Sequence, residues 1–240
     1  MTRLMTSLDR NGAAPRLIAF LLFVVSFAYF LSFVHYGINL DDEGALLYKF
    51  ERMADGQRPY VDFHLGYTPG VYYVHSTLQR LFDESITPGR IALAFTNSVS
   101  VALLALLVAP FLGPAGTLVA GLCYLAMPPV NPGAFASFNI PYPTWYCVTF
   151  FLAGLLACRG FIATPTPRRA LLAGLLAGVG FLFKPNIGAV QLACTMLLVL
   201  SALSWKRSAA TLAGAVWWWA GQVRSRLERA VGPPSAQCTQ

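Results

Sequence analysis

Charge is what this sequence has least of. Asp, Glu, Lys and Arg make up 11% of its 240 residues, against 56% for the hydrophobic types, and the mean hydropathy is +0.58. Soluble domains carry about a quarter charged residues, so the chain cannot wet a globular surface and reads as a multi-pass membrane protein. Acid is confined as well as scarce: eight of the ten Asp and Glu residues lie between Asp41 and Glu84. Cysteine is sparse, and Cys123, Cys147, Cys158, Cys194 and Cys238 show no CxxC or metal-ligand spacing. They read as small buried hydrophobes. Internal repeats and a soluble second domain are missing too.

The formal charge of +7 does not imply a nucleic-acid partner, because such proteins gather their cations on one wetted face. Here the cations cap apolar runs in short groups: Arg3, Arg10 and Arg16; Arg159, Arg168 and Arg169; Lys206 and Arg207. That is the pattern of the positive-inside rule.

The expected fold class is an all-α transmembrane bundle of about six spans. Residues 1–16 form a cytoplasmic N-terminus and 17–36 the first span, which at about 20 residues is long enough to cross a bilayer. A cleaved signal peptide is the competing reading, but its apolar core is usually about 7–15 residues long and ends in a small-residue site. His35, Tyr36 and Gly37 follow here instead. Residues 37–90 form an outer acidic loop. Residues 91–204 carry spans two to six, with a turn at Gly113-Pro114 and a Pro-rich outer loop, NPGAFASFNIPYP. Residues 205–240 are a basic and aromatic tail. Trp217, Trp218 and Trp219 there read as an interface anchor or as the start of an aborted seventh span.

Within the outer loop two short helices are expected along the membrane surface. In the first, Leu46, Phe50 and Met53 share a face and Gly56 ends it. In the second, from near Pro69, the spacing points to Val71, Val74, Leu78 and Leu81 on one face, with Tyr72 and Tyr73 at headgroup level. RPYVDFHLGY connects them.

Three features of this region carry a family likeness. An acidic pair (Asp42-Glu43) follows the first span, then Gly56 with Pro59-Tyr60 and Asp62-Phe63, then Pro69-Gly70 with Tyr72-Tyr73; GFLFKPNIG surrounds Lys184 later. The pattern resembles the GT-C membrane glycosyltransferases of the family 39-like branch, which includes dolichyl-phosphate-mannose protein mannosyltransferases and bacterial lipid A and lipopolysaccharide sugar transferases. The resemblance implies inverting transfer of a sugar from a polyprenyl-phosphate donor to a lipid, glycan or protein acceptor. The setting it implies is the outer face of a bacterial inner membrane, with the loop in the periplasm. Asp42, or Asp41 if the register is offset, then serves as the base that accepts the acceptor's proton, and Glu43 orients it or the acceptor. Lys184, Arg58 and Arg90 are phosphate contacts, and Tyr60, Asp62 and Tyr72 are further substrate contacts. No cofactor is required, although Asp62 and His64 are weak candidates for holding a divalent cation.

Plainer readings stand beside these. Acids at a helix start cap free N–H groups and complement its dipole. Lys184 at the edge of a span can snorkel to the headgroups, and His35 and His75 read as interfacial. Family members usually have about twice as many spans, so the chain reads as a shortened glycosyltransferase, with loss of activity in the fragment as the open alternative. A non-catalytic polyprenyl-lipid or sugar-binding protein is the alternative function. A small transporter ranks below it, because transport sites place ionisable residues near the bilayer midplane and the middles of these spans hold no charge.

Overall fold

The computed structural model describes residues 13–82 and 85–204. Arg3, Arg10, Asp83, Glu84, Lys206, Arg207 and the tail with its triple Trp lie outside the described residues.

The protein is an all-α membrane bundle. Helix α1 (Ala13–Ser32) begins and ends four residues before the expected span. It buries Ala19, Leu22, Ser26 and Phe30 while exposing Leu17, Phe20, Leu21, Val24 and Val25. A helix apolar on every side can rest its outward face only on lipid. Helix α2 (Ala45–Ala54) buries Leu46, Phe50 and Met53, the face its spacing predicts. It stops at Gly56, whose φ of 88° is the left-handed conformation that helix ends assign to glycine.

Helix α3 (Gly70–Leu81) departs from expectation. Its buried residues are Val71, Tyr72, His75, Ser76 and Gln79, and Leu81 is 68% exposed. The polar side faces inward because His75 finds a partner there, Tyr146, at 2.9 Å. Val74 and Leu78 instead border an apolar cavity of about 590 Å³ with Phe27, Ile91 and Phe95. Tyr72 is therefore a core residue and not a headgroup anchor; Tyr73 is the exposed one.

Helix α4 (Ile86–Ala126) is 41 residues long but breaks at Gly113, where φ is 66° and ψ is −176°. Tyr124 packs in the cluster of Val101 and Ala105, and Leu125 packs against Ala94. Tyr124 and Val101 would lie about 35 Å apart in an unbroken helix, so the chain doubles back at the Gly113-Pro114 turn. A small hairpin follows: β1 (Val130–Asn131) pairs antiparallel with β2 (Phe135–Ala136) around Gly133. Tyr36 clamps it, accepting from the Gly133 N–H at 2.7 Å.

Helices α5 (Pro143–Ala163), α6 (Pro167–Phe183) and α7 (Pro185–Ser204) complete the described bundle. Among the described residues four helices are long and apolar enough to cross a membrane: α1, α4, α5 and α7. The expected count of six needs the returning half of α4 and the 17-residue α6 to cross as well. Two compact units divide at Met196 and Leu197. In the second, residues 197–204 continue as helix. The first has two distinct ends. One carries the acidic loop, the hairpin and Lys184; at the other Arg159 donates to the Leu106 carbonyl at 2.7 Å and Arg169 to that of Gly160 at 2.6 Å.

Candidate active site

The acidic residues enter on a π-helical turn, Leu40–Gly44. Asn39 starts it: its side chain accepts from the Asp42 N–H at 3.0 Å, and its carbonyl accepts from Glu43 and Gly44 at 2.9 and 3.1 Å. The capping reading thus belongs to Asn39, not to the acids. The wider turn separates neighbours that the sequence treats as a pair. Glu43 is turned inward and is 1% exposed, while Asp42 is exposed.

Glu43 meets Arg90 inside the protein. Arg90 Nε donates to Glu43 Oε1 at 2.7 Å and Nη2 to Oε2 at 2.8 Å. Nη1 reaches the Val34 carbonyl at 2.8 Å and Nη2 that of Gly37 at 2.7 Å. Every guanidinium nitrogen is bound to protein, and Arg90 is not on the cavity described below. A bidentate, fully bonded pair of this kind is the form in which buried charge is tolerated.

Asp42 meets Tyr142, which immediately precedes α5 and is flanked by Pro141 and Pro143. The phenol donates to Asp42 Oδ2 at 2.5 Å. Burial pushes the phenol's pKa above its ordinary value, and the hydrogen bond and charge of Asp42 push it further. Tyr142 therefore keeps its proton and remains a donor. The other carboxylate oxygen accepts no hydrogen bond among the described residues.

Asp42 opens on a cavity of about 260 Å³ lined also by Asp41, Lys49, Tyr67, Tyr72 and Tyr142. Tyr72 is fully buried and its phenol oxygen has no hydrogen-bond partner. Burial raises its pKa, with the nearby N–H groups of Gly66 and Tyr67 acting the other way. Neither amide reaches hydrogen-bonding geometry with the phenol oxygen.

Lys184 ends α6 beside this cavity. Its ammonium is 5.7 Å from the centre of the Tyr67 ring and 3.5 Å from Thr144 Oγ1. The connector is pressed onto the end of α6 there: Thr68 donates to the Phe181 carbonyl at 3.4 Å, and a Cβ on Gly70 would lie 2.5 Å from the Leu182 oxygen. Asp42 and Lys184 thus share one end of the bundle.

The remaining candidates organise the connector. Arg58 is exposed and binds Asp62, its N–H donating at 2.6 Å and its Nε at 3.4 Å. Those bonds, the backbone one first, hold the Asp62 carboxyl below its usual range. Tyr60 takes a positive φ of 66° and donates to the Tyr67 carbonyl at 3.1 Å. His64 is exposed, and among the described residues no three His, Cys, Asp or Glu side chains gather as a metal site. Arg58, Asp62, Tyr60 and His64 do not line the cavity.

Sequence reasoning missed Tyr142, Tyr67 and Lys49. Lys49 had a faint signal, lying two helical turns beyond Asp42. Tyr142 had none, since its partner is 100 positions away. His75, expected at the interface, is buried against Phe50 and Tyr146, and burial pushes its pKa down to about 3.

The family model described as dolichyl-phosphate-mannose-protein mannosyltransferase matches residues 67–219, more than half of the chain. Tyr67, Tyr72, Arg90, Tyr142 and Lys184 fall inside the match; Asp41, Asp42, Glu43 and Lys49 precede it. No curated protein and no solved structure matches the chain.

Proposed function

The chain belongs to the dolichyl-phosphate-mannose-protein mannosyltransferase family of membrane glycosyltransferases, and from that premise we propose that it moves a sugar from a polyprenyl-phosphate carrier to an acceptor hydroxyl, with inversion. The acceptor oxygen forms its bond to the anomeric carbon as the bond from that carbon to the phosphate oxygen breaks. The electron pair leaves with the phosphate and the hydroxyl proton goes to Asp42. The transition state at the anomeric carbon is oxocarbenium-like, and phosphate departs without a general acid. The acceptor is a lipid, a glycan or a protein.

One observation carries this reading. The Asp42 carboxylate faces a cavity with one oxygen anchored by Tyr142 and the other open to a substrate proton. A base must lie within hydrogen-bond reach of the proton it takes and be held there. Arg16, Arg159, Arg168 and Arg169 fall at the opposite end of the bundle. By the positive-inside rule this supports a site on the non-cytosolic face, which in a bacterial inner membrane is the periplasm.

The test is transfer from a radiolabelled polyprenyl-phosphate sugar in membranes containing the protein. Asp42→Asn abolishes label transfer while the protein stays folded. Transfer at the parent rate in that variant removes Asp42 as the base.

A further inference from the structure

Lys49 lies in α2 and lines the cavity together with Asp41 and Asp42. It nevertheless forms no ion pair within 4.0 Å among the described residues, where the pairs are Arg58 with Asp62 and Arg90 with Glu43. Nor does its own helix supply a partner. The neighbours three and four positions away are Ala45, Leu46, Arg52 and Met53, none acidic. Lys49 is thus an ammonium held in a cavity beside carboxylates without being neutralised by either.

The other cations of this end have partners. Arg90 binds Glu43 and two carbonyls, Arg58 binds Asp62, and Lys184 rests on Tyr67 and Thr144. A second side chain in the cavity is also unsatisfied: the fully buried Tyr72 phenol, which lacks a partner. A buried hydroxyl left without a hydrogen bond carries a desolvation cost that a ligand oxygen removes.

We propose that Lys49 binds the phosphate of the polyprenyl donor, in the cavity where Asp42 takes the acceptor's proton, and that Tyr72 donates a hydrogen bond to the same ligand. This rests on the transferase reading of the site. The electrostatics of the lining favour such a group. Two carboxylates in the lining repel an arriving phosphate, and a cation among them offsets that repulsion and stabilises the charge the phosphate gains as its bond to the sugar breaks. The role of Lys49 is that of a fixed positive charge.

The test measures binding of a long-chain polyprenyl phosphate, carrying no sugar, to the full chain in lipid nanodiscs, with the uncharged polyprenol as control. The parent is expected to bind the phosphate and to bind polyprenol far more weakly. Lys49→Met is expected to raise Kd about tenfold or more, the scale of one charge-assisted contact. Lys49→Arg is expected to retain most of the affinity, Tyr72→Phe to lose a few-fold, and Asp42→Asn to bind at least as well as the parent. An unfolding midpoint in detergent equal to the parent's shows that Lys49→Met is folded. Parent-like binding in Lys49→Met, or equal binding of polyprenol and its phosphate by the parent, overturns the role of Lys49 and leaves the transferase reading standing. Failure of the parent to bind the phosphate at all overturns that reading and this one with it.

Discussion

Glu43 and Arg90 stand 47 positions apart and meet in the interior through two hydrogen bonds of 2.7 and 2.8 Å. Through the Val34 and Gly37 carbonyls the same guanidinium ties the end of α1 to the start of α4. Asp42 is the residue before Glu43, so the direction of its carboxylate follows from an ion pair it does not join.

Arg90→Ala leaves the Glu43 carboxylate buried and alone. Removing one partner of such a pair typically costs about 3–5 kcal/mol. The expected result is a large fall in the thermal unfolding midpoint in detergent, with Arg90→Lys intermediate because an ammonium cannot reproduce the two-bonded fork. An unchanged midpoint for Arg90→Ala would show that the pair does not hold the turn.

Tyr142→Phe removes the hydrogen bond to Asp42 and leaves the ring. Bonds to charged groups contribute about 1.5–3 kcal/mol, so kcat for sugar transfer is expected to fall roughly tenfold to a hundredfold. KM for the donor should change little, because the phenol acts on the base. A rise in KM at constant kcat would instead make Tyr142 a substrate-binding group.

His75 is neutral in the fold, its pKa pushed down to about 3 by burial. Its unfolded value is near the ordinary 6.5, so the unfolded chain binds the proton first. The stability this contributes is complete above pH 6.5 and is lost as pH falls from there towards 3, by up to about 1.4 kcal/mol per pH unit. Unfolding midpoints measured across pH 7 to pH 4 should fall more steeply for the parent than for His75→Gln. Parallel curves would contradict this.

Gly70→Ala places a methyl 2.5 Å from the Leu182 oxygen and 2.9 Å from its carbonyl carbon. Overpacking against backbone typically costs about 1–3 kcal/mol, and the contact lies two residues before Lys184. Gly174→Ala in α6 is the control, since a Cβ there meets nothing within 4 Å. The midpoint is expected to drop for the first and hold for the second. Equal midpoints would mean that the connector can lift off α6 freely.

Much of the fold was legible because it depends on length and composition. A long apolar run has few options in a bilayer besides a spanning helix, and Gly113-Pro114 breaks such a run wherever it falls. The buried face of α2 was legible for a similar reason, its apolar residues coinciding with the inward side. On α3 the same reasoning misplaced the face, because an inward hydrogen bond to Tyr146 and a cavity beside Val74 and Leu78 outweighed the apolar spacing.

By itself, then, the amino-acid order determined that the chain is a membrane helix bundle and that its acids gather in one loop. Hydropathy and helical periodicity are local quantities, and they sufficed for that. Only the tertiary structure decided that Glu43 turns inward to Arg90, that Asp42 turns out to Tyr142, and that Lys49 and Tyr72 share a cavity with it. Those pairings join residues 47 and 100 positions apart. Which of two adjacent carboxylates is buried depends on where a distant guanidinium is packed, and no window of sequence contains both.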